Sequence, residues 1–180
     1  MSTSRRARST ATSFEVAARE VLRYPHPSLK QPCEPIEPGD ELDRVARDLL
    51  DTMRSFPHCI GVAAPQIDEL VRVIVVDVSE HKKATTSHGL LVLANPVVVE
   101  ASGDELGREG CLSIPELTGN VRRATWIRIE ALMPAGENVT IETDGFEARA
   151  LLHELDHLDG ILFLDRIASR ADLFARKRYA

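Results

Sequence analysis

The residues best suited to chemistry in this chain are His153, Glu154 and His157, within the run His153-Glu154-Leu155-Asp156-His157. On a helix, side chains four apart lie on one face. Two imidazoles so placed can hold one metal ion while the carboxylate beside the first stays off it. A free carboxylate next to a metal-activated water is what a hydrolase needs as general base. The pattern points to metal-assisted hydrolysis. The bland alternative is an exposed helix that carries two histidines and several acids.

The surroundings favour the first reading. Leu151, Leu152, Leu155 and Leu158 flank the histidines, which predicts a largely buried helix, and buried histidines need partners. Asp144, with Glu147 three residues on, has the form of a capping box, and Gly160 stands where the helix would end.

Two histidines leave a catalytic metal one ligand short, since three protein ligands plus water is the usual arrangement. The chain has three cysteines, Cys33, Cys59 and Cys111. Spacing alone does not choose among them. Cys111 is the best placed, between Gly110 and a Leu-Ser-Ile-Pro run, and a thiolate with two imidazoles suits Zn²⁺ or Fe²⁺. Its alternative fate is that of a small buried hydrophobe.

The rest of the chain must position these groups. Its 180 residues fit one domain, and 43% hydrophobic residues suffice for a core. No apolar run approaches a membrane span. A net charge of −6 argues against nucleic acid as main partner, and an odd cysteine count without secretory context fits a reducing compartment, the cytoplasm. Residues 1–13 are rich in Arg, Ser and Thr without an acid, a composition shared by transit peptides and disordered tails. The tail is the favoured reading, with the domain over 14–180.

Residues 14–24 fit a short helix or a strand. Five prolines between Pro25 and Pro38 predict an extended surface arm. Leu42, Val45, Ala46, Leu49, Leu50 and Met53 form one apolar stripe, predicting a helix from Asp40, its cap, to Ser55. Val71–Val78 and Leu90–Glu100 read as strands, the second with an edge or bulge at Asn95-Pro96. Residues 102–110 read as a Gly-rich acidic loop. Alternation over 127–131 and 139–143 predicts a hairpin, and 168–178 a short basic helix. His26, His58, His81 and His88 fall in loop-like sequence and are expected to be solvated. The order of elements predicts an α+β domain of mostly antiparallel sheets around the His-Glu-x-x-His helix.

Three stretches together resemble the peptide deformylase family: Cys59-Ile60-Gly61-Val62-Ala63-Ala64-Pro65-Gln66, Glu109-Gly110-Cys111-Leu112-Ser113, and Leu152-His153-Glu154-Leu155-Asp156-His157. Leu22-Arg23-Tyr24-Pro25 is similar to the family's usual opening, so the likeness runs over about residues 20–167. It implies an enzyme that removes the formyl group from the N-terminal formyl-methionine of nascent bacterial polypeptides, releasing formate. It implies one divalent metal on Cys111, His153 and His157, with Fe²⁺ native and Zn²⁺, Ni²⁺ or Co²⁺ as alternatives after isolation. Glu154 would be the base, and the Leu112 N–H and Gln66 amide the oxyanion donors. The peptide would lie against Cys59, Ile60, Gly61, Val62, Glu109, Gly110, Arg149 and Leu152. The substrate would be met at the ribosome by a monomer or weak dimer.

Three positions depart from the family. Cys59 replaces a glycine, Leu152 a glutamine, and Thr118 stands where some members carry an arginine that meets the peptide. These keep open a specialised amidohydrolase acting on another N-formyl or N-acyl substrate. A binding protein without turnover has no need of Glu154. An endopeptidase of the usual zincin type takes a later ligand, and no His follows His157. Asp156 either orients a metal ligand or, the favoured reading, makes a structural ion pair.

Overall fold

The structure, a computed structural model, describes residues 18–167 and 169–176. The N-terminal tail 1–13 lies outside them. A five-stranded antiparallel sheet runs in the order β1 (Gly61–Ala63), β2 (Val73–Val76), β3 (Leu91–Ser102), β6 (Trp126–Leu132), β7 (Asn138–Asp144). A second antiparallel sheet holds β4 (Glu105–Cys111), β5 (Ile114–Arg123) and β8 (Leu173–Ala175). Among the described residues there are two α-helices, α1 (Asp40–Ser55) and α2 (Gly145–Leu158).

Strand β2 shows why the sheet sits between the helices. Val73 and Val75 join the core built on Leu42, Val45, Leu49 and Met53 of α1. Ile74 and Val76 join the core built on Ala148, Leu151, Leu155 and Leu158 of α2. Side chains alternate along a strand, so an unbroken Val-Ile-Val-Val run is what burial on both faces requires. Helix α1 has the expected stripe. Its cap position is Gly39 rather than Asp40, and Asp40, Glu41 and Asp43 fill the first turn, where the helix dipole favours acids.

The interruption at Asn95 is a bulge. Asn95 has φ 50°, and the register against β6 shifts there. Its side-chain amide accepts from the Ile36 N–H at 2.9 Å and donates to the Ile36 carbonyl at 2.8 Å, tying the proline-rich arm to the sheet. That arm is extended apart from a 3-10 turn at Pro27–Lys30.

Several expectations are corrected. Residues 18–24 form neither helix nor strand. Residues 102–110 are no loop, because Glu105–Cys111 is a strand paired with Ile114–Arg123, an element the sequence reading missed. The inward face of this pair carries Glu109, Cys111 and Arg123. Charged and thiol groups there hid the apolar alternation that marks a strand. The basic helix over 168–178 is absent among the described residues. Arg170–Asp172 is a 3-10 turn, and Leu173–Ala175 is a strand that pairs with Leu117–Gly119. The capping box also fails. Asp144 occupies the cap position, but its carboxylate accepts from Thr86 Oγ1 at 2.7 Å. Glu147 accepts from Thr143 Oγ1 at 2.6 Å and from the His88 N–H at 2.8 Å.

Candidate active site

Helix α2 presents His153, Glu154 and His157 toward the turn that leaves β4. Cys111 closes the strand there. The ligand atoms of Cys111, His153 and His157 lie within 4.8 Å of one another. Cys111 Sγ stands 3.2 Å from His157 Nε2. A thiolate and an imidazole on one tetrahedral ion sit about 3.5 Å apart, given the usual metal–sulfur and metal–nitrogen bond lengths. The donor set and spacing fit a divalent transition metal. The charge state fits too. Burial pushes the Cys111 thiol up, but the His157 and His153 rings outweigh it and hold the thiol well below its ordinary value.

The ligands are themselves held. Glu109, on the inward face of β4, places Oε2 2.9 Å from His153 Nδ1. It also accepts from Arg123 Nε and Nη2, at 2.9 and 3.0 Å, and from Arg149 Nη1 at 3.0 Å. Burial raises the Glu109 carboxyl, and the hydrogen bonds from His153 and Arg123 more than reverse this, so it stays ionised. Arg123 also reaches Asp156, which Arg166 clamps from the other side. Asp156 thus makes an ion pair with two arginines and touches no candidate ligand directly.

Glu154 is set apart from this network. One carboxylate oxygen is buried with no hydrogen-bond partner among the described residues. Burial pushes its pKa up to about 7, the two histidines opposing. Gly61 makes room for it, since a Cβ at that position would lie 2.7 Å from Glu154 Oε1. Gly61, expected along the peptide path, thus also gives clearance to this carboxylate.

Gln66 lies in the 3-10 turn Ala64–Ile67 after β1. Its Oε1 accepts from the Ala63 N–H at 2.9 Å, which turns Nε2 toward Cys111 Sγ at 3.3 Å and Ser113 Oγ at 3.1 Å. The segment before the proline arm straps this region, with the Leu22 N–H on the Gln66 carbonyl at 2.8 Å and the Tyr24 N–H on the Ser113 carbonyl at 2.9 Å.

These groups open onto a cavity of about 300 Å³. Of the residues expected along the peptide, Cys59, Ile60, Gly61, Glu109, Gly110 and Arg149 line it, as do Gln66 and Leu112. Val62 and Leu152 lie outside the lining. Val62 is fully buried in the core under α1, and Leu152 packs against the core under α2. Phe146, Arg108 and Arg176 line the cavity without having been singled out, and His58, exposed as expected, lines it too. Phe146 follows the helix start and stacks on His81 with ring centroids 4.0 Å apart, and His88 Nδ1 lies 2.7 Å from Glu147 Oε2. Neither His81 nor His88 is simply solvated.

Residues 18–172 match the sequence profile of the polypeptide deformylase family.

The chain belongs to the polypeptide deformylase family.

Members of this family remove the N-formyl group from nascent polypeptides. The chain is 42% identical over 160 residues to a peptide deformylase of Thermomicrobium roseum, covering 88% of this chain and 90% of that one. It is 38% identical over 164 residues to the deformylase of Thermodesulfovibrio yellowstonii, covering 90% and 97%. Among solved structures, it is similar to a class I type b deformylase of Acinetobacter baumannii crystallised with Met-Ala-Ser. There the TM-score is 0.77 at 32% identity, over 85% of this chain and all of that one. The family fold is the α+β arrangement described above, a single domain with α2 at its centre.

Proposed function

We propose that this protein is a peptide deformylase that cleaves formate from formyl-methionine at the start of nascent chains, using the residues gathered at Cys111. The single observation that carries the reading is the placement of Glu154. A buried carboxylate with an unpartnered oxygen lies beside a three-ligand group at the floor of an open cavity. A structural metal site has no use for such a group.

Cys111, His153 and His157 would hold the ion. When bound it supplies Lewis acidity, making a water nucleophilic near neutral pH and polarising the formyl oxygen. Every other task falls to the chain. Glu154 takes the proton of the attacking water and returns it to the leaving amine. Gln66 Nε2 and the Leu112 N–H donate to the formyl oxygen as negative charge develops on it. Ser113 and Cys111 take the Gln66 amide in the resting arrangement, so it shifts to reach substrate. Glu109 fixes the His153 ring through Nδ1, leaving Nε2 for the ion. Its substrate role is this indirect one.

Support for a peptide substrate comes from the Acinetobacter baumannii relative, whose structure holds Met-Ala-Ser. The native ion in this reading is Fe²⁺, with Zn²⁺ as a substitute after aerobic purification. The enzyme acts in the cytoplasm on chains emerging from the ribosome, as a monomer or weak dimer. No described helix is long and apolar enough to cross a membrane. The test is anaerobic purification, metal analysis and formate release from a formyl-Met peptide. Wild type should bind about one ion per chain and release formate, and Cys111→Ala should do neither. Stoichiometric metal in Cys111→Ala would overturn the ligand set. A metal-loaded wild type inactive on formyl-Met peptides would favour the specialised amidohydrolase.

A further inference from the structure

The C-terminal strand places a cation at the cavity mouth that neither the family motifs nor the chemistry above uses. Strand β8 pairs Phe174 with Thr118 and Ala175 with Leu117, and the Arg176 N–H continues the pairing onto the Glu116 carbonyl at 2.8 Å. Side chains alternate along a strand, so Phe174 and Arg176 project from the same face. That face also carries Thr118 and, across β5, its partner Gly110 and the neighbouring Arg108. Arg108 stacks over the Phe174 ring at 3.5 Å and donates to Thr118 Oγ1 at 3.2 Å and Asn120 Oδ1 at 2.8 Å. Arg108 is thereby tied to neutral groups of its own sheet.

Arg176 is not. Among the described residues no carboxylate pairs with its guanidinium, although Arg176 lines the cavity. A Cβ on Gly110 would overlap Arg176 Nη2, and Thr118 Cγ2 lies 3.3 Å from the same point. The absent side chain at Gly110 leaves a slot in which the guanidinium rests, one residue from Cys111. An arginine seated in such a slot on the cavity lining, with no carboxylate partner among the described residues, is arranged to bind oxygen acceptors.

We infer that Arg176 is a substrate-binding residue, donating to peptide oxygens downstream of the formylated methionine. The acceptor is a main-chain carbonyl in a long chain, or the terminal carboxylate in a short one. This rests on the peptide-deformylase reading above and deepens it by making the C-terminal strand part of the peptide site. It also assigns β8 a task. A three-residue strand at a sheet edge adds little to the core, but it carries Arg176 to the mouth.

The experiment titrates metal-loaded wild type, Arg176→Met and Arg176→Lys with Met-Ala-Ser and with its C-terminal amide, by calorimetry. Arg176→Met should weaken binding roughly three- to tenfold, with Arg176→Lys between it and wild type. A loss confined to the free acid assigns the contact to the carboxylate, and an equal loss with the amide assigns it to a main-chain carbonyl. Steady-state kinetics on formyl-Met-Ala-Ser should show the same factor in KM with kcat within about twofold. Unchanged peptide affinity in Arg176→Met overturns the inference. So does a fall in kcat with a lowered melting temperature that Lys fails to restore, which marks a structural role. If wild type binds these peptides but releases no formate from the formylated one, the deformylase reading fails while the peptide titration still decides Arg176.

Discussion

His153 Nδ1 and Glu109 Oε2 stand 2.9 Å apart, joining a candidate metal ligand on α2 to the inward face of β4. One carboxylate fixes the ring and, through Arg123 and Arg149, anchors it to three elements. Removing that negative charge should loosen the ion without touching a ligand. Glu109→Gln is expected to weaken metal affinity roughly 10–100-fold. Competition with a chelator measures it, and an unchanged affinity would show that His153 needs no such support.

Arg123 is the only cation shared by Glu109 and Asp156 among the described residues, and its side chain is 4% exposed. Arg123→Met leaves Glu109 and Asp156 without it in a buried setting. Removing one partner of a buried ionic network costs about 3–5 kcal/mol. Urea unfolding should show a loss of that order, partly recovered by adding Asp156→Asn. A loss below about 1 kcal/mol would mean that Arg149 and Arg166 suffice.

Cys33 gives a pH-dependent prediction away from the metal. Burial is the main cause that pushes its thiol from 9.0 up to about 11. A folded-state pKa above the unfolded one means that the fold favours the protonated thiol. That contribution is complete below about pH 9 and is lost as pH rises through about 11. Stability should fall over this window in wild type and less steeply in Cys33→Ala, which is expected to keep its metal and activity. Parallel alkaline unfolding curves would contradict the assignment.

The departures from the family now separate. Cys59 lines the cavity and donates its thiol to the Gly61 carbonyl at 3.2 Å, whereas Leu152 packs on the core outside the lining. Cys59→Gly should raise kcat/KM on formyl-Met peptides through KM, by about tenfold or less, with Leu152→Gln contributing little. If Cys59→Gly has no effect, the thiol does not narrow the peptide path.

Much of this was legible because hydrophobic period and metal-ligand spacing are local signals. The α1 stripe, the Val-Ile-Val-Val strand and the His153–His157 pair each declare themselves within a few residues. The β4–β5 pair did not, because its inward positions hold Glu109, Cys111 and Arg123, and polar groups erase the alternation. Arg176 had no signal at all. It lies 65 residues from Cys111 in sequence, and only the edge pairing of β8 brings it to Gly110. Capping was misjudged at Asp144 because Thr86, from a distant loop, takes its carboxylate.

The central claim is that Glu154 moves protons beside an ion it does not bind. The most direct measurement is formate release from formyl-Met-Ala-Ser by anaerobically purified wild type and Glu154→Ala, with metal counted in the same samples. The account predicts equal metal in both and turnover reduced roughly 10²–10⁴-fold in the variant. Formate release by Glu154→Ala at a rate near wild type would contradict it, and loss of the metal would make Glu154 a ligand instead.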